Sequence, residues 1–259
     1  MTFFSLSLLV LGLISQLACT APRAPGSQDL TPPATRPAPA PAIPAAATPA
    51  APSPAPAPAF APLSIAAIGD SLTSPTPRTP NYLSELQKLC PRSRIDNFGV
   101  GGNMVNQMRA RFERTLFAAS RPRYTHVILF GGVNDLYSDL TAGRTVALIE
   151  RDLSAMYQRA REANIHVVAV TVTPWGGFKR YFNASRQAAT LELNRWILEQ
   201  PSGGQVGSAV DAYPLLSCGT PERLCPELAA PFKDGLHFGP KGHERLARAL
   251  HAQVFGSCL

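Results

Sequence analysis

Ser71 stands in the string Gly69-Asp70-Ser71-Leu72, directly after the apolar run Leu63–Ile68. A hydroxyl is a weak nucleophile until a base takes its proton. Far downstream, Asp234-Gly235-Leu236-His237 sets a carboxylate and an imidazole three residues apart. Alcohol, imidazole and carboxylate are the parts of a serine nucleophile system, which attacks a carbonyl carbon and passes through an acyl-enzyme. These residue types point to a hydrolase. Asp70 or Ser71 also has an ordinary structural use, as a helix cap accepting backbone N–H bonds.

Groups so distant along the chain meet only if the elements between them carry them to one place. Short apolar runs at Leu63–Ile68, Arg94–Phe98, His126–Phe130, Ile165–Val172 and Val206–Asp211 read as strands covered on both faces. Helical spacing links Val105, Met108, Phe112 and Leu116; Val146, Ile149, Leu153, Met156 and Ala160; and Leu246, Leu250 and Val254. Such alternation implies right-handed crossovers and an α/β fold: a flavodoxin-like three-layer α/β/α sandwich around a parallel sheet of about five strands. Ligands bind such sheets beyond the carboxyl ends of the strands. Ser71 follows the first strand, Gly101-Gly102-Asn103 the second and Asn134-Asp135 the third, while Asp234 and His237 precede the last helix. The glycines at 99, 101 and 102 do not match the Gly-x-Gly-x-x-Gly dinucleotide fingerprint.

Four blocks in this order resemble the SGNH, or GDSL-type, esterase and lipase superfamily. They are Gly69-Asp70-Ser71-Leu72, Gly102 before Asn103, Gly132-Val133-Asn134-Asp135 and Asp234-Gly235-Leu236-His237. The resemblance spans essentially the whole folded part and implies roles. Ser71 is then the nucleophile, His237 the proton carrier and Asp234 the group that orients the imidazole. The oxyanion hole is implied to comprise the backbone N–H groups of Ser71 and Gly102 and the side-chain amide of Asn134. No cofactor or metal is invoked.

The segment Thr173–Phe182 follows the fourth strand, so Trp175 and Phe178 are expected to bind substrate, with Gly176 and Gly177 letting the loop adjust. Packing of these aromatics onto the domain is the competing reading. The expected reaction is removal of small acyl groups, such as acetyl, from carbohydrate or envelope esters. A lysophospholipase or thioesterase acting on longer chains, and a non-catalytic binding protein of the same fold, are the alternatives. Among the other histidines, His126 and His166 read as structural, His243 as packed on the last helix and His251 as exposed. Asp135 is expected to brace a loop and Asp211 to end the last strand.

The chain has 259 residues, and the folded domain is expected at 63–259. Residues 20–62 are mostly Pro and Ala, with too few large apolar side chains to offset ordering, and read as a stiff disordered tether. Residues 1–19 are apolar and short, which fits an export signal. Gln16-Leu17-Ala18-Cys19 resembles a bacterial lipoprotein cleavage box, which implies acylation of Cys19 and a periplasmic or cell-surface tether; a conventionally cleaved signal or an uncleaved anchor are the other options. Cys90, Cys218, Cys225 and Cys258 then remain for two disulfides, with three possible pairings. Cys218–Cys225 and Cys90–Cys258 is the expected one, the first closing a short loop. No Cys or His set has metal-ligand spacing. A net charge of +7 is scattered over several helices without a dense run, which speaks against nucleic acid as a partner. A monomer acting on a small-molecule or carbohydrate ester is expected.

Overall fold

The computed structural model describes residues 62–75 and 80–258. The expected export signal, Cys19 and the tether up to residue 61 lie outside the described residues. Five strands, β1 (Ser64–Gly69), β2 (Arg94–Gly99), β3 (His126–Phe130), β4 (His166–Val170) and β5 (Ser208–Val210), form one parallel sheet in the order β2-β1-β3-β4-β5. The helices are α1 (Tyr82–Leu89), α2 (Val105–Leu116), α3 (Val133–Tyr137), α4 (Asp139–Ala142), α5 (Val146–Glu162), α6 (Ala184–Glu199), α7 (Ala212–Leu216), α8 (Pro226–Ala229) and α9 (Pro240–Leu250). Among the described residues, no helix is long and apolar enough to cross a membrane.

The near-continuous apolar strands reflect two cores. Ala66, Ile68, Val127, Leu129, Val167 and Ala169 point to one, which α2, α5 and α6 complete. Ile65, Ala67, Ile128, Phe130, Val168 and Val170 point to the other, filled from α1 and α9. Successive side chains on a strand face opposite ways, so a strand buried on both sides needs no polar alternation. The edge strand β2 differs: Arg94 is exposed and the rest of its residues are half-buried, because one flank has no neighbouring strand.

This order places the site. Gly69 pairs with Gly99 on one side and Phe130 on the other, so β2, β1 and β3 end level. The loops carrying Gly102, Ser71 and Asn134 are therefore side by side.

Two local expectations change. The last helix continues from Leu250 into a single π turn, His251–Phe255. The wider turn advances the buried stripe by one residue, so Phe255 is fully buried where Val254 was expected. His251, expected to be exposed, is half-buried beside the Cys90–Cys258 disulfide. The sixteen-residue α6 has no clear apolar stripe because polar residues occupy its inner face. Asn194 there bonds the N–H and C=O of Val172, and Thr190 accepts from the Trp175 indole. The second disulfide joins Cys218 to Cys225.

Candidate active site

The chain leaves β1 and turns immediately. The N–H groups of Thr73 and Ser74 donate to the Asp70 carbonyl, and Asp70 Oδ1 accepts the Leu72 N–H at 2.9 Å. The capping behaviour open to this segment thus belongs to Asp70, which leaves the Ser71 hydroxyl free. Asn81 and Asn97 both donate to the Thr73 carbonyl, at 3.1 and 2.7 Å, and Tyr82 Oη lies 3.0 Å from Thr73 Oγ1. The turn is thereby fixed from both α1 and β2.

His237 meets this turn just before α9. Its Nε2 lies 2.9 Å from Ser71 Oγ and its Nδ1 2.7 Å from Asp234 Oδ2. The other Asp234 oxygen accepts the N–H groups of Leu236 and His237, at 2.8 and 2.9 Å. Spacing of Asp and His by three residues therefore makes a local turn and a side-chain pair at once. Burial pushes the Asp234 carboxyl up, but these two N–H groups and the imidazole outweigh it and hold the group below its ordinary range. Such a carboxylate keeps a proton on Nδ1 and leaves Nε2 to face the hydroxyl.

Beside Ser71, Gly102 adopts φ +76°, with no heavy atom within 4 Å of where a Cβ would stand. Its N–H and that of Ser71 donate no hydrogen bond among the described residues. Asn134 is buried at the start of α3, with Nδ2 donating to the Asn103 carbonyl at 2.9 Å and to Asp70 Oδ2 at 3.3 Å. Asp135 braces the arrangement as expected: Oδ2 accepts the Val105 N–H at the head of α2, and Oδ1 accepts from Arg144. The six expected residues other than the two aromatics (Ser71, Gly102, Asn134, Asp234, His237 and the bracing Asp135) thus fall at one rim. A base poised on an alcohol, next to N–H donors, is equipped for acyl transfer.

Trp175 corrects the substrate-binding expectation. It is fully buried, its indole N–H donates to Thr190 Oγ1 at 3.0 Å, and its ring packs on Phe182. Phe178 is half-buried and packs with Tyr137 and Tyr181 over α3. Gly176 and Gly177 do not loosen the loop. A Cβ on Gly177 would come within 2.7 Å of Gly235 Cα, so this loop presses directly on the Asp234–His237 turn. Glycine is needed there for close approach.

Phe232 supplies an aromatic face that the sequence did not single out. It is exposed, with its ring 6.1 Å from that of His237. With Leu72, Ser74, Asn81, Phe238 and His243 it lines a pocket of about 260 Å³ beside Ser71. The Ala230-Pro231 dipeptide just before it was the available signal, since Pro after a helix marks a loop. His243 packs as expected, against Tyr82 and Phe238, and accepts the Tyr82 N–H. Burial, with His237 nearby, lowers its pKa to about 4. Asp70, expected as a possible cap, is fully buried and raised to about 7 by that burial. Among the described residues, Cys90, His251 and Cys258 form the group with metal-ligand proximity, and its two sulfurs are bonded to each other.

The model of the GDSL-like Lipase/Acylhydrolase family matches residues 67–245. No curated protein matches. Among solved structures, a GDSL-like lipase from Bacteroides thetaiotaomicron is 19% identical with a TM-score of 0.60, the match covering 73% of this chain and 86% of the other. A member of the lipolytic protein G-D-S-L family from Veillonella parvula is also 19% identical, with a TM-score of 0.59 and coverage of 74% and 98%. A catalytic mutant of an acetylxylan esterase from Geobacillus stearothermophilus gives 19% identity and a TM-score of 0.59, with coverage of 74% and 93%. At such identities the likeness establishes the fold.

Proposed function

Because the chain belongs to the GDSL-like lipase/acylhydrolase family and is a serine ester hydrolase, we propose that Ser71 is its nucleophile, His237 its proton carrier and Asp234 the orienting acid. The observation that carries this reading is the unbroken relay from Asp234 Oδ2 through the imidazole to Ser71 Oγ, at 2.7 and 2.9 Å. As Oγ bonds to the ester carbon, Nε2 takes its proton and negative charge gathers on the carbonyl oxygen. The N–H groups of Ser71 and Gly102 and the amide of Asn134 receive that charge. Collapse breaks the bond to the alcohol, which leaves with the proton from Nε2. Water then repeats the sequence on the acyl-enzyme, giving up its proton to His237 and releasing the acid and free Ser71.

The substrate in this reading is a small-acyl ester, an acetylated carbohydrate or envelope polymer. A pocket of about 260 Å³ is small beside the ~300–1,000 Å³ typical of sites for larger ligands. Its mix of Phe232 and Phe238 with Ser74, Asn81 and His243 suits a sugar, which has both apolar faces and hydroxyls. The fold shared with an acetylxylan esterase accords with this choice. Two disulfides suit an exported protein, and we place the domain outside the cytoplasm, tethered through an acylated Cys19. Relay and donors all come from one chain, in keeping with a monomer.

Chromogenic acetate, octanoate and palmitate esters, together with acetylated xylo-oligosaccharides, test the proposal on the purified protein. Acetate esters should turn over fastest, and Ser71→Ala should abolish turnover without unfolding the protein. A preference for palmitate would replace the carbohydrate reading with a lysophospholipase or thioesterase. A folded protein inert to every ester would be a binder.

A further inference from the structure

Arg111 sits on the inner face of α2, with 8% of its surface exposed, and touches no part of the relay. Its Nη2 donates to the Gly69 carbonyl at 3.0 Å and its Nε to Asn103 Oδ1 at 2.9 Å. Gly69 begins the turn that presents Ser71, and the same carbonyl accepts the Val100 N–H from the loop of Gly102. Asn103 follows Gly102 directly, and its own carbonyl accepts Nδ2 of Asn134. A single guanidinium therefore joins the segments bearing all three oxyanion donors.

Among the described residues, no carboxylate forms an ion pair with Arg111. Burying a cation without a counter-charge is costly, and an apolar side chain of similar length would fill the space at less cost. What a guanidinium adds is a rigid planar fork that holds two acceptors at a fixed separation. The platform behind it is also fixed, since Asp135, the neighbour of Asn134, holds the first N–H of α2.

We infer that Arg111 is a positioning residue for the oxyanion hole, aligning the Ser71 and Gly102 N–H groups and the Asn134 amide through Gly69 and Asn103. This rests on the functional reading above. Donors aimed at the developing oxyanion matter more in the transition state than in substrate binding, so loss of alignment lowers kcat and leaves KM nearly unchanged.

The test compares native protein with Arg111→Gln, Arg111→Lys and Asn103→Ala, using a chromogenic acetate ester and a reversible boronic acid that forms a tetrahedral adduct with Ser71. Thermal melts confirm folding. For Arg111→Gln, kcat should fall about 10- to 100-fold with KM within about twofold, and boronate affinity should fall by a similar factor. Arg111→Lys keeps the charge but spans only one acceptor, and should remain at least about fivefold below native. Asn103→Ala removes one acceptor at a half-exposed site and should show part of the same kcat loss, which decides the matter if Arg111→Gln does not fold. Native kcat and boronate affinity in a folded Arg111→Gln or Asn103→Ala protein would overturn the inference. So would full activity in Arg111→Lys, or a loss confined to KM. If native protein hydrolyses no ester, the functional reading fails first and takes this inference with it.

Discussion

Asn134 divides its amide between two acceptors, the Asn103 carbonyl at 2.9 Å and Asp70 Oδ2 at 3.3 Å. The longer bond is the one a substrate oxyanion can replace at small cost, because a stretched hydrogen bond gives up little when it breaks. Asn134→Ala is therefore expected to lower kcat about 10²- to 10³-fold, measured with an acetate ester. A change below threefold would remove Asn134 from the oxyanion hole. Phe232 acts earlier, in binding. Its exposed ring borders the pocket beside Ser71, so Phe232→Ala should raise KM for an acetylated oligosaccharide about three- to tenfold. KM for a small aryl acetate should change less, since that ester fills less of the pocket, and equal changes would deny Phe232 a part in recognising the sugar.

At the scale of elements, a buried charge network sets α2, α3 and α5 against one another. Arg144 bonds Asp135 on α3 and Asp152 on α5, both fully buried, while Arg109 on α2 reaches Asp152 from the surface. Burial raises Asp135, against the Val105 N–H and Arg144. Removing Arg144 would leave the buried Asp135 without a counter-charge and Asp152 with only the surface-borne Arg109 and Arg151, and Arg144→Ala is expected to cost about 3–5 kcal/mol in urea unfolding. A loss under 1 kcal/mol would mean that water replaces the guanidinium. Elsewhere the elements meet through backbone. The Gly177–Gly235 contact joins the loop after β4 to the turn that carries Asp234 and His237, so that loop stiffens the relay.

For the whole molecule, the Cys90–Cys258 bond ties the end of α1 to the C-terminus across 168 residues of sequence. Replacing both cysteines with serine should cost about 2–5 kcal/mol of stability. Loss of Cys218–Cys225, separated by only 7 residues, should cost less, because a short loop has less entropy to restrict. Unfolding in urea checks both, and a larger loss from the shorter loop would contradict the order. Stability should also depend on pH in two opposed ways. Asp70 rises from 3.8 to about 7 on folding, so the native chain holds the extra proton between those values. That contribution is complete below about 4 and is lost as pH rises to about 7. His126 and His243 fall from 6.5 to about 4, so their contribution is complete above 6.5 and lost as pH falls through about 4. Asp70→Asn removes only the first effect. Its stability relative to native should therefore increase from pH 4 to pH 7, and a constant difference would mean that burial does not set the Asp70 titration.

Much of this could be read along the chain because the informative features are local. Asp234 and His237 form their turn within three residues, and Ser71, Gly102 and Asn134 each follow a strand marked by its own apolar run. Strand order then brings those loops together, since β1 lies between β2 and β3. What the sequence could not determine depends on partners remote in the chain. Trp175 turns inward because Thr190 on α6 accepts its indole, and the Arg111 fork exists only because Gly69, 42 residues earlier, ends beside α2. Phe232 faces the pocket for the same reason, and one π turn moves Phe255 inward in place of Val254. Hydrophobic period registers which face of an element is buried, whereas a hydrogen bond between distant residues is chosen only when packing sets its two ends together.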